Sequence, residues 1–136
     1  MGDKQSSAYK QQQETRRRAY VDTACLREEF PAVEQLVLQM EFVDPRGEGR
    51  HSPQTHTYSP AAKAFFSVAC PSFMCLHGGF DLGPTISRML ARAVPESTGV
   101  ATCQGWRGSA RGEADRCRIE MRYKVSISYK DPDDPD

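Results

Sequence analysis

The chain lacks any long apolar run. No stretch approaches the roughly 18 residues that span a bilayer, and the opening "MGDKQSSAYKQQQ" has no apolar segment of the kind a secretory leader carries. These absences predict a soluble, cytoplasmic protein with no membrane partner. Net charge is also lacking: 18 basic residues balance 18 acidic ones. The balance is uneven, however, because four of the acids lie in the final "DPDDPD", which leaves 14 acids against 18 bases in the rest. Thirteen of those bases are arginine. Such a body suits phosphate or carboxylate partners but falls short of a dedicated nucleic-acid binder.

Several catalytic signatures are missing as well. HExxH, a P-loop and GxSxG do not occur, and "ACPSFMC" has no upstream H-x-E to make it a zinc deaminase. An even set of cysteines is missing too. There are five, Cys25, Cys70, Cys75, Cys103 and Cys117. An odd count without a leader argues against a disulfide framework and leaves metal ligation or buried thiols.

What is present organises the chain into three parts. Residues 1–30 read as a polar arm, partly helical or disordered, since "QQQETRRRAY" has helix formers but no apolar stripe. Residues 31–130 read as one domain, and residues 131–136 as a disordered acidic tail. Within the domain, "VEQLVLQMEFVD" alternates with period two and predicts a strand with Leu36, Leu38, Met40 and Phe42 inward. "DPRGEGRHSPQTHTYSP" reads as a long loop. "AKAFFSVAC" predicts a second strand, ended at Cys70 by Pro71. "FDLGPTISRMLARAV" predicts a helix with Leu82, Ile86, Met89, Leu90 and Ala93 on one stripe, Asp81 as N-cap and Pro95 as its stop. "GVATCQGW" predicts a third strand. "RCRIEMRYKVSISYK" predicts a long fourth strand, apolar from Cys117 to Tyr129 on one face and charged on the other. The expected fold is α+β, ordered β-β-α-β-β. It has a four-stranded, mostly antiparallel sheet, one helix on its apolar face and a zinc-ribbon-like cysteine cluster at one end.

That cluster follows from the topology. If strands two and three run the same way, with the helix as return path, Cys70, Cys75, Cys103 and Cys117 all reach one end of the sheet. Their pattern is C-x4-C-x27-C-x13-C. A tight turn can aim the first two thiolates at one ion, and a hairpin register can bring the second two together. These four positions and the hairpin of residues 99–130 resemble zinc-ribbon proteins, in which two cysteine-bearing turns meet at one end of a sheet. The spacings depart from that pattern, and a helix stands between the half-sites. Structural zinc is the implied cofactor, with His77 as a substitute ligand. Buried metal-free thiols, or a Cys70–Cys75 redox pair, are the competing readings.

Two other groups bear on function. His51 and His56 stand five apart in a Pro-rich segment, which is a poor ligand spacing. Trp106, Arg107, Arg111, Arg116, Arg118, Arg122 and Lys124 form a candidate basic surface with one aromatic, a combination that single-stranded nucleic acid uses. A solvated sheet face accounts for the same residues. Together these features predict a zinc-stabilised, non-enzymatic binding domain whose partner is a protein or single-stranded nucleic acid. The alternative is a thiol-based redox or metal-dependent enzyme using Cys75 or a Cys/His pair.

Overall fold

A computed structural model describes residues 3–45, 51–72, 75–107 and 116–131. The protein is α+β. Its centre is a four-stranded antiparallel sheet of β1 (Val33–Val43), β2 (Gln54–Tyr58), β6 (Glu96–Thr102) and β8 (Glu120–Tyr129), in the order β2-β1-β8-β6. Two short ribbons complete the strands. One pairs β3 (Ser67–Val68) with β5 (Phe80–Asp81), and the other pairs β4 (Cys75–Leu76) with β7 (Trp106–Arg107).

The core lies on one face of the sheet. The register sets Leu36 opposite Ile127, Leu38 opposite Val125 and Phe42 opposite Met121, and all six are buried. Period-two patterning on two neighbouring strands therefore sends both apolar rows to one side. Leu26, Phe66, Val68, Phe80, Leu82, Ile86 and Met89 close over that side. The tail "DPDDPD" lies outside the described residues beyond Asp131.

Three helices flank the sheet among the described residues, where one helix and a partly helical or disordered arm were expected: α1 (Asp3–Asp22), α2 (Leu26–Glu29) and α3 (Gly83–Ala91). The stretch expected as a polar, partly helical or disordered arm is thus a 20-residue helix over most of its length. It has no apolar stripe, and polar side chains dock it. The Arg16 guanidinium donates to Ser67 Oγ at 2.8 Å and to the Ser67 carbonyl, and stacks 5.2 Å from the centre of the Phe65 ring. Tyr20 meets the same ring edge-on. Gln12 bonds both the carbonyl of Cys75 and the N–H of His77.

α3 begins and ends differently from expectation. Leu82, not Asp81, is its N-cap, although Asp81 Oδ1 does accept the Gly83 N–H at 2.9 Å. The helix stops at Ala91, ahead of Pro95. Ala93 takes a left-handed φ of 52°, its N–H donates to Leu90 O, and the Val94 N–H donates to Met89 O at 2.9 Å. Those two bonds are a Schellman termination, here built on alanine instead of glycine. Because of it, Ala93 is exposed while Leu82, Ile86 and Met89 are buried.

Two strand assignments are corrected. The segment 62–70 is not a sheet strand. Its backbone groups serve the joint between α1 and α2: Leu26 N–H bonds Ala62 O at 2.7 Å, Ala64 N–H bonds Ala24 O at 2.9 Å, and Lys63 bridges to Cys25. Only Ser67–Val68 is extended and paired. The missing sheet strand is "QTHTY", expected as loop. As an edge strand it is exposed along its first four residues, so no apolar alternation marks it. The supposed parallel pair is also absent, since every strand pairing in the sheet is antiparallel.

Candidate metal centre

The four cysteines converge by a route other than the expected one. Cys103 follows β6 and Cys117 precedes β8, and the antiparallel ladder continues past both strands. Cys103 N–H donates to Ile119 O at 2.8 Å, and Cys117 N–H donates to Gly105 O at 3.0 Å. This ladder closes the thirteen-residue gap between the two thiols. The β4–β7 ribbon then lays Cys75 over this pair, with Cys75 opposite Arg107 and Leu76 opposite Trp106. Cys70 arrives from the end of β3. One ladder and two ribbons thus fix all four positions.

The sulfurs of Cys70, Cys75, Cys103 and Cys117 all lie within 4.8 Å of one another. The Cys70–Cys117 and Cys75–Cys103 separations are both 3.5 Å. Four thiolates at about 2.3 Å from a single tetrahedral ion stand about 3.8 Å apart. The observed range brackets that value. A disulfide would need about 2.05 Å, and all five cysteines are free. Cys75, Cys103 and Cys117 are buried, and Cys70 is half-buried.

The surrounding backbone is shaped around sulfur. The Gly79 and Gly105 N–H groups donate to Cys103 Sγ at 3.3 and 3.4 Å. Such donors offset negative charge on a thiolate. Gly78 and Gly105 supply room. A Cβ on Gly78 would enter the envelope of Cys103 Sγ and lie 2.5 Å from Cys75 Sγ, and one on Gly105 would lie 2.5 Å from Cys75 Sγ and 2.7 Å from Gly78 Cα. The two cysteine turns therefore meet glycine to glycine.

Among themselves the thiols do not titrate alike. Hydrogen bonds with Cys117, then Cys70 and Cys75, hold the Cys103 thiol well below its usual value, and the Gly79 N–H adds to them. Cys75 is pushed up, first by Cys103, then by Cys117 and Cys70, with burial adding to the effect. Cys70 is pushed up chiefly by Cys103 and Cys117. Cys103 also pushes Cys117 up, but Cys70 and Cys75 outweigh it and Cys117 is lowered. Cys103 and Cys117 thus favour the thiolate while Cys70 and Cys75 resist it, and a bound cation would relieve that conflict for all four.

His77 is exposed, has φ 59°, and lies outside the gathered set. Cys25 sits at the α1–α2 joint, away from the cluster. His51 and His56 do not join any group of three or more metal-binding side chains among the described residues. Arg116 stacks over Trp106 at 4.4 Å and reaches Gln104 Oε1 at 3.4 Å. Arg118 and Arg122 are exposed, and Lys124 pairs with Glu96 at 3.4 Å. Arg122 stands opposite Glu41. The open sheet face is therefore of mixed sign. Arg111 and the side chain of Arg107 lie outside the described residues.

The Gly78-Gly79 turn is legible beside Cys75 in the sequence, whereas Gln12 and the close packing of Gly78 against Gly105 are not. The glycines carried a signal, since each follows a cysteine within three residues, in "CLHG" and "CQG". Gln12, one glutamine among many in a polar arm, carried none. No helix among the described residues is long and apolar enough to cross a membrane. No protein family, curated protein or solved structure matches this chain.

Proposed function

We propose that this chain is a small zinc-stabilised, non-enzymatic binding domain. One observation carries the reading: four cysteine sulfurs from four separate backbone segments lie within 4.8 Å of one another at the edge of the core. Soft thiolates in a tetrahedral set suit zinc, and a mononuclear iron centre is the main competitor. A closed four-thiolate site offers no position for a catalytic water, so its work is structural. It ties the two ribbons to the β6–β8 end of the sheet, where short strands alone bury little.

The partner, in this reading, is a protein. The open sheet face mixes Arg122 and Lys124 with Glu41, Glu96 and Glu120, which disfavours a polyanion. Metal analysis of protein prepared without chelator tests the metal. About one zinc per chain and no visible charge-transfer band support it. A coloured iron protein, or none of either metal, refutes it. Salt-dependent binding of single-stranded oligonucleotides would overturn the choice of partner.

A further inference from the structure

We propose that β6 is a self-complementary edge through which two copies of this chain join their sheets. β6 ends the sheet order, and its ladder to β8 runs without a register shift from Glu96 to Thr102. Ile127 N–H donates to Pro95 O, and Cys103 N–H donates to Ile119 O. In an antiparallel ladder, hydrogen-bonded residues alternate. Residues 95, 97, 99, 101 and 103 therefore face β8, and the backbone groups of Glu96, Thr98, Val100 and Thr102 point outward. Among the described residues the Gln104 amide alone meets that outer edge, donating to Thr102 O at 3.3 Å at its far end.

Natural sheets protect such an edge with lysine, proline, a bulge or a cover. Among the described residues β6 has none of these along its outer edge. It reads "ESTGVAT", with a single charge at one end, and Val100 is 60% exposed. The other edge, β2, is shorter and directly preceded by Pro53, whereas Pro95 before β6 turns toward β8 and leaves the outer edge open. One edge is thus blunted and the other left open.

A second copy fits the open edge by symmetry. Antiparallel pairing about Gly99 sets Thr98 opposite Val100 of the other copy and Glu96 opposite Thr102, so the charge never meets itself. All four outward residues then fall at hydrogen-bonded positions. Gly99 meets Gly99 at the two-fold axis, a non-hydrogen-bonded pair where strands approach most closely. Glycine also suits the monomer there, since a Cβ would lie 2.7 Å from Tyr123 Cζ and displace that ring. The two-fold contact uses the open edge of both copies and so closes at a dimer instead of growing a fibre. None of this depends on the metal.

Sedimentation equilibrium of the full chain over a concentration series tests the proposal. A monomer–dimer equilibrium is expected, with amide protection at Thr98 and Val100 that rises with concentration. The double substitution T98E/V100E places each new carboxylate opposite Lys124 or Arg122 within its own sheet, and so keeps the monomer folded. Across the two-fold it opposes like charges, and dissociation should rise about tenfold or more. Thr98→Pro removes an outward N–H that the monomer does not use and should abolish the dimer. Dimerisation unchanged in both variants overturns the proposal, as does a wild-type monomer at every concentration. Protection that appears only on adding an extended peptide also overturns it, in favour of strand addition by that peptide.

Discussion

Gly78→Ala isolates the packing of the metal centre from its chemistry. No ligand is removed, and the backbone at Gly78 does not need a positive φ, so the only change is one methyl group. That methyl would lie 2.5 Å from Cys75 Sγ, closer still to Cys103 Sγ and 3.1 Å from Gly105 Cα. Cβ atoms do not approach within 3.0 Å of other heavy atoms without something moving. Neither sulfur can retreat freely, because both thiols are buried and the β4–β7 ribbon and β6–β8 ladder hold them. Overpacking of this kind costs about 1–3 kcal/mol. At about 1.4 kcal/mol per tenfold, that is roughly a tenfold to hundredfold loss of metal affinity, in line with the effect of disturbing the groups around a ligand. Competition against a chromophoric chelator reads the affinity, and thermal melts with and without chelator read the stability. Gly83→Ala serves as control, since only the flexible Asp81 carboxylate is close there, at 3.0 Å. It should leave metal affinity unchanged. Metal binding by Gly78→Ala as tight as the parent's would show that the two cysteine turns do not pack glycine to glycine.

Cys117→Ser should lose the metal and more than about 4 kcal/mol of stability, the range typical of losing a structural ion; metal analysis and denaturant melts check both. Chelation of the parent should lower its melting temperature toward that of Cys117→Ser while leaving the variant's own melt unmoved. Ala93→Gly should stabilise by about 0.5–1 kcal/mol, because alanine bears the strain of the left-handed position in the Schellman turn; a lower melting temperature would contradict this. Arg16→Ala should cost about 1.5–3 kcal/mol of local stability, since its charged hydrogen bonds to Ser67 dock a helix with no apolar face. Faster amide exchange and proteolysis confined to α1 would show it.

Much of the fold was legible because two strands carry strict alternation. Leu36, Leu38, Met40 and Phe42 face Met121, Val125 and Ile127, and the sequence pattern alone puts them on one side. β2 was illegible for the opposite reason. Its first four residues are exposed, so burial leaves no mark on the sequence. Residues 62–70 misled because Ala64, Phe66, Val68 and Cys70 alternate as a strand would. Their backbone partners nonetheless lie outside the main sheet, Ala64 bonding Ala24, Phe66 accepting from Leu82 and Val68 pairing with Phe80, a tertiary choice that local pattern does not encode. The four cysteines were readable from their types and spacing, although the expected parallel strands were not what gathers them. The β6–β8 ladder and two short ribbons do that. Ribbons two residues long leave no periodicity to read.

Metal analysis combined with thiol counting, on native protein prepared without chelator, tests the four-cysteine centre directly. About one zinc per chain, a single reactive thiol from Cys25, and five reactive thiols once the metal is stripped and the chain unfolded are expected. Protein without bound metal, in which Cys70, Cys75, Cys103 and Cys117 react as readily as Cys25, would contradict this.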